Sequence, residues 1–165
     1  MIIWVASYPK SGNTWVRSLL STYLYSKKGN FEFNVLSNID AFPSKKYFEP
    51  FLTSFDDIKK VSSFWLKAQS KINLNSDITF LKTHSALCSL ENNPFTDKFN
   101  TKAVIYVVRD PRNVITSISN HYSLDLKESF EFITKKNRML VSGKYKTKIF
   151  GIAEVIGDWS ENYKS

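Results

Sequence analysis

Residues 2–15, Ile-Ile-Trp-Val-Ala-Ser-Tyr-Pro-Lys-Ser-Gly-Asn-Thr-Trp, decide how the chain is read. Ile2 to Ala6 is a continuous apolar run rich in β-branched side chains, the pattern of a parallel strand covered on both faces. It is five residues long with no basic stretch before it, too short for a signal peptide or a membrane span. Pro9, Gly12 and Asn13 then break the strand. From Trp15 the period changes. Trp15, Val16, Leu19, Leu20, Tyr23 and Leu24 form one apolar stripe at helical spacing, with Arg17, Ser18, Ser21 and Thr22 off it. The opening reads strand, tight loop, helix.

Two further strands follow outward from this unit. Ile78–Lys82 is short, and Ala103–Val108 is the clearest of the three. Asp110 followed by Pro111 is an N-cap with proline at the first helical position, and Val114, Ile115, Ile118 and Tyr122 continue a helical stripe. Asp56 or Asp57 caps a helix expected to run to about Lys71. A helix is expected over Leu126–Leu140, and another beginning near Glu154. Residues 28–55 carry many aromatics, broken by Gly29, Pro43 and Pro50, and receive no firm assignment. Alternating strands and helices predict an α/β fold of three layers, a parallel sheet flanked by helices. Three strands make that sheet small and incomplete.

Composition bounds the partners. The 165 residues suit one domain with a real core. Lys and Arg number 23 against 15 acids, a formal charge of +8, which favours anionic ligands without choosing among them. The basic residues are scattered and no nucleic-acid recognition motif appears, so no nucleic-acid role is expected. Cys88 is the only cysteine. It permits no intrachain disulfide, and no Cys/His spacing suits a metal, so the chain reads as cytoplasmic and metal-free.

Three constellations carry chemistry. Tyr8-Pro9-Lys10-Ser11-Gly12-Asn13-Thr14-Trp15 lies where a strand gives way to a helix. Unpaired N–H groups and the helix dipole bind phosphate there, Gly12 allows close approach, and Lys10 adds full charge. The Gly-Lys-Ser/Thr order of a Walker A loop is absent. Read by itself, the loop is also compatible with a capped helix and an incidental lysine. Arg109-Asp110-Pro111-Arg112-Asn113 through Ser117 lies after the third strand, where α/β sheets bind ligands. Arg109 can grip phosphate, or pair with an acid at an ordinary corner. Lys82-Thr83-His84 follows the second strand; a histidine there can act as a base or merely sit at the surface. His121 reads as a polar residue late in a helix.

In combination these segments resemble the PAPS-dependent sulfotransferases. YPKSGNTW looks like their 5′-phosphosulfate loop. VIYVVRDPRNVITS is similar to their 3′-phosphate motif, and KTH resembles their catalytic-histidine segment. Order and spacing match over nearly the whole chain. The resemblance implies a P-loop-containing nucleotide-hydrolase-like fold and the co-substrate 3′-phosphoadenosine 5′-phosphosulfate (PAPS). It implies that Lys10 contacts the bridging oxygen between phosphate and sulfate. Ser11, Gly12, Asn13 and Thr14 would cradle the 5′-phosphate, and Trp15 would stack near the adenine or serve as a core residue. Arg109 and Ser117 would bind the 3′-phosphate, with Ser117 also restraining Lys10. His84 would take the proton from a hydroxyl or amine, and Lys82 would orient the sulfuryl group. The acceptor would be a small molecule or glycan, its pocket drawn partly from Phe31, Phe33, Phe42, Tyr47, Phe48 and Phe51.

The family domain usually continues through a Tyr-Glu-Asp-like strand and an Arg-Lys-Gly element. Neither is present in this sequence, so residues 1–165 read as the N-terminal portion of one such domain. Weak binding and poor transfer are expected of that portion. The alternatives are a noncatalytic nucleotide-binding module or inactive fragment, and a small-molecule kinase, for which a Walker-type lysine and a magnesium ligand are lacking.

Overall fold

The structure, a computed structural model of the chain, describes residues 1–74, 77–141, 144–145, 148–149 and 152–164. β1 (Ile2–Ser7) leads through a loop to α1 (Asn13–Tyr25), a 3-10 turn at Phe33–Asn38, β2 (Asp40–Ala41) and α2 (Lys45–Phe48). Next come α3 (Ile58–Ser62), α4 (Trp65–Asn73), β3 (Thr79–Thr83), the small hairpin β4 (Ser89–Leu90) and β5 (Asn93–Pro94), and β6 (Thr101–Val107). α5 (Pro111–Tyr122), α6 (Leu126–Thr134), β7 (Met139–Val141), β8 (Lys144–Tyr145), β9 (Lys148–Ile149), β10 (Ala153–Val155) and α7 (Trp159–Lys164) follow.

Four strands form one parallel sheet in the order β2-β3-β1-β6. The sheet is thus α/β and parallel with flanking helices, as the alternation predicts. It holds one more strand than the sequence reveals, because Asp40–Ala41 is too short to carry a period. β1 occupies the centre because its side chains are apolar on both faces: Ile2, Trp4, Val5 and Ala6 are all buried. Its register pairs Ala6 with Thr83 on one side and Ser7 with Val107 on the other. Three carboxyl ends therefore stop at one rim, and the segments beginning at Tyr8, His84 and Val108 leave from it.

The main core lies on one face of this sheet. Trp4 packs against Phe42 and Phe95 with ring centroids 5.6 Å and 5.3 Å apart, and Trp65 meets Phe95 at 5.4 Å. Phe42 and Phe48, expected at a ligand mouth, are fully buried here. Each such side chain contributes about 1.5–3 kcal/mol by leaving water. A second cluster, Tyr8, Val114, Ile118, Phe132, Ile133 and Ile156, joins the loop after β1 to α5 and α6.

Several boundaries differ from expectation. The helix after Asp57 is broken in two. Asp57 caps α3 by accepting from the N–H groups of Lys59 and Lys60, but Ser63 and Phe64 turn the chain before α4 restarts. α6 stops at Thr134 rather than Leu140, since Lys135 is extended and Asn137 takes a left-handed conformation. Glu154 lies in β10, not in a helix: β10 pairs antiparallel with β7, and the helix begins only after the left-handed Gly157 and the capping Asp158. The apolar stripe of α1 faces outward, with Trp15 78% exposed, while Asn13 and Ser21 are buried. β6 forms an edge of the sheet, and its Val104 is 54% exposed.

Candidate active site

The loop at the rim is built by its backbone. The Ser11 N–H donates to the Tyr8 carbonyl at 3.2 Å, closing a tight turn. Gly12, at φ +104°, is the N-cap of α1 in a left-handed conformation that a side chain would strain. No side chain caps α1, which leaves the first N–H groups of the helix for a ligand. Asn13 turns its side chain inward: Nδ2 donates to the Val5 carbonyl at 2.9 Å and to Ser7 Oγ at 3.1 Å. It anchors the helix start to β1 through Nδ2, while Oδ1 is buried without a partner among the described residues. Ser11 is buried as well, and its Oγ has no partner among the described residues.

Arg109 arrives from the end of β6, and its Nη1 donates to the Lys10 carbonyl at 3.0 Å. The acid at this corner, Asp110, is occupied by the neighbouring Arg112 at 2.5 Å. Hydrogen bonds from the Arg112 side chain and backbone hold the Asp110 carboxyl down at about 2. Among the described residues no acid pairs with Arg109 or Lys10, which leaves both charges open to an anion.

His84 arrives from the end of β3. Its Nδ1 lies 2.7 Å from the Ser7 carbonyl and 3.2 Å from Ser7 Oγ. A carbonyl can only accept, so Nδ1 carries the proton and Nε2 keeps its lone pair. Burial first, then the Lys82 charge, pulls the imidazole down to about 4 despite the opposing Glu154 charge. The ring is therefore neutral at pH 7 and able to accept a proton.

Lys10, Gly12, Asn13, Thr14, Trp15, His84, Arg109 and Ser117 line one cleft of about 410 Å³. Pro9, His121, Tyr122 and Leu140 complete its wall. The three segments singled out in the sequence thus converge within one space. Lys82 does not line it. Its ammonium lies 3.3 Å from Glu154 Oε1, both side chains largely buried, and burial lowers its pKa. Thr14 and Trp15 also open onto an apolar groove of about 780 Å³ walled by Leu19, Tyr23, Phe31, Phe33 and Leu36.

His121 lies late in α5, as read from the sequence, and with Tyr122 it reaches the cleft wall; the contact that the sequence did not show is that of Glu154. Glu154 Oε2 accepts the His84 backbone N–H at 2.6 Å. Asn162 Nδ2 donates to the His84 carbonyl at 3.0 Å. No local signal marks either residue, because each lies about seventy or more positions from the histidine it holds. Among the described residues no three His, Cys, Asp or Glu side chains group as a metal site, and no helix is long and apolar enough to cross a membrane.

The sequence profile of the sulfotransferase domain matches residues 2–165. The chain belongs to the sulfotransferase domain family. A search of curated proteins finds no match. As a sulfotransferase domain, the chain places its cleft at the carboxyl rim of a parallel sheet, the position at which α/β folds bind ligands. Within that cleft the loop and Arg109 offer positive charge, and His84 offers a neutral imidazole.

Proposed function

We propose that this protein moves a sulfuryl group from PAPS to a hydroxyl or amine acceptor by in-line transfer. The observation that carries the reading is the convergence of Lys10, His84, Arg109 and Ser117 on one cleft beside an uncapped helix start. In this scheme the N–H groups at Gly12–Thr14 and the buried Ser11 hydroxyl hold the 5′-phosphate. Lys10 stabilises the negative charge that grows on the bridging oxygen as the S–O bond to phosphate breaks. Arg109 and Ser117 take the 3′-phosphate, and Trp15, at the entrance to the apolar groove, offers a face to the adenine.

His84 removes the acceptor proton through Nε2 as the new S–O or S–N bond forms. The leaving group is 3′-phosphoadenosine 5′-phosphate (PAP). Gain comes from alignment and charge placement rather than from a covalent intermediate on the protein. The lone Cys88 supports placing this chemistry in a reducing, cytoplasmic compartment. The acceptor in this scheme is a small molecule or glycan that reaches His84 in the cleft.

Incubation with sulfur-labelled PAPS, or with phosphorus-labelled ATP and magnesium, tests the reading against a kinase. Label passing to an acceptor from PAPS alone is expected; label from ATP would overturn it, and binding without transfer would favour a noncatalytic nucleotide-binding module. Arg109→Ala should weaken PAP binding in calorimetry by about 10- to 100-fold, the loss of one charge-assisted pair. Unchanged affinity would remove Arg109 from the nucleotide site.

A further inference from the structure

We infer that Glu154 is a positioning residue for His84, and that Lys82 acts through Glu154 rather than by touching the transferred group. This rests on the sulfotransfer reading for its kinetic consequence, but not for its geometry. One buried carboxylate bridges two residues of the same strand end. Oε2 accepts the His84 N–H at 2.6 Å, and Oε1 meets Lys82 Nζ at 3.3 Å. Lys82 and His84 are two apart, so in an extended segment they share a side, and Glu154 comes from β10 to meet them there.

The neighbouring backbone is fixed to the same element. The Ala86 N–H donates to the Val155 carbonyl at 2.8 Å, and Asn162 holds the His84 carbonyl. With Nδ1 against Ser7, the histidine is fastened at its N–H, its carbonyl and its ring. Among the described residues, nothing engages Nε2. Lys82, with its ammonium on Glu154 and outside the cleft lining, is the counter-charge that keeps this carboxylate in place.

The charges around His84 are Lys82 from β3, Glu154 from β10 and Arg17 from α1. Arg17 is itself fixed on the carbonyls of Leu36 and Ile39 at 3.1 Å and 2.7 Å. Tyr122 of α5 also senses Glu154, its hydroxyl pushed up by burial and then by that charge. Removing the Glu154 charge should therefore make His84 harder to protonate, and removing the Lys82 charge should make it easier.

Nuclear magnetic resonance of the ligand-free protein, with imidazole signals assigned through His121→Gln, reads this directly. In the parent protein the His84 proton should reside on Nδ1. Glu154→Gln should lower the His84 midpoint, while Lys82→Met should raise it, with the tautomer held by Ser7 in both. An unchanged midpoint in Glu154→Gln would overturn the inference. If Glu154→Gln does not fold, the double variant Lys82→Met/Glu154→Gln, which removes both buried charges together, is compared with Lys82→Met: a lower midpoint in the double variant is expected, and an equal one would overturn the inference.

The kinetic arm uses PAPS with 2-naphthol as acceptor probe. Glu154→Gln should cut kcat about 10- to 100-fold with the PAPS KM unchanged. Adding Lys82→Met to that background should cost nothing further; multiplying losses would instead put Lys82 on the sulfuryl group and overturn its assignment. Should His84→Asn transfer sulfate as fast as the parent, the sulfotransfer scheme fails while the resonance result stands by itself.

Discussion

Replacing Asn13 separates two ways in which the phosphate-loop asparagine could matter. In the structure its Nδ2 serves two oxygens, Val5 O and Ser7 Oγ, in a buried setting. Asn13→Ala leaves the Val5 carbonyl without that donor. An unsatisfied buried acceptor costs about 1–3 kcal/mol, which for a chain of this size lowers Tm by roughly 2–4 °C per kcal/mol. A fall of about 2–12 °C is expected. Asn13→Asp should be worse at pH 7, because an ionised carboxylate cannot donate to a carbonyl. The burial that penalises it raises the folded pKa above the unfolded value. The protonated form, which can donate, is then favoured by folding. Relative to Asn13→Ala, the Asp variant should recover stability as pH falls through that raised value and lose it again as pH rises. Thermal unfolding between pH 4 and pH 8, with PAP titration at each point, reads both effects. An Asn13→Ala variant that keeps its Tm but loses PAP affinity more than about 10-fold would refute the reasoning, since the side chain would then belong to the ligand and not to β1; that loss corresponds to about 1.4 kcal/mol.

Burial of neutral His84 at about 4, against an ordinary value near 6.5, has a sign that can be checked. Stability from this group is fully present above about 6.5 and is lost as pH falls towards 4, amounting to at most about 3.4 kcal/mol. His84→Asn should flatten unfolding profiles across that window; an unflattened profile would mean that the ring is not held neutral. The base form also persists to low pH, so transfer rates should stay level down to about pH 5. At the sheet edge, Val104→Lys should reduce self-association measured by light scattering, because charge on an open strand opposes pairing. Unaltered association would exclude β6 as the sticking edge.

What the sequence disclosed follows from where the physical signal is local. β1 and β6 announce themselves as apolar runs, and Asp110-Pro111 marks the start of α5 by chemistry confined to two residues. The loop at residues 8–14 and the strand-end placement of His84 and Arg109 were legible for the same reason. α1 misleads because periodicity reports an apolar face but not what covers it. Here Trp15 and Leu19 wall a groove while Asn13, with its hydrogen bonds to β1, takes the inside. β2, β7 and β10 are two or three residues long and have no period to detect. The aromatics of residues 31–51 divide between core and surface according to contacts with Trp4 and Phe95, which no local window contains. Glu154 is the sharpest case, since a carboxylate between Val155 and Ala153 looks ordinary until the strand end seventy residues earlier lies beside it.

The fastening of His84 also dictates an order of assembly. Strand β1 and the segment at His84 are made early, yet the carboxylate and the amide that grip this histidine come from positions 154 and 162. During synthesis the nascent sheet can zip up long before those grips leave the ribosome. A half-made chain would thus hold this imidazole by Ser7 alone, its backbone still unpinned, until positions 154 and 162 arrive.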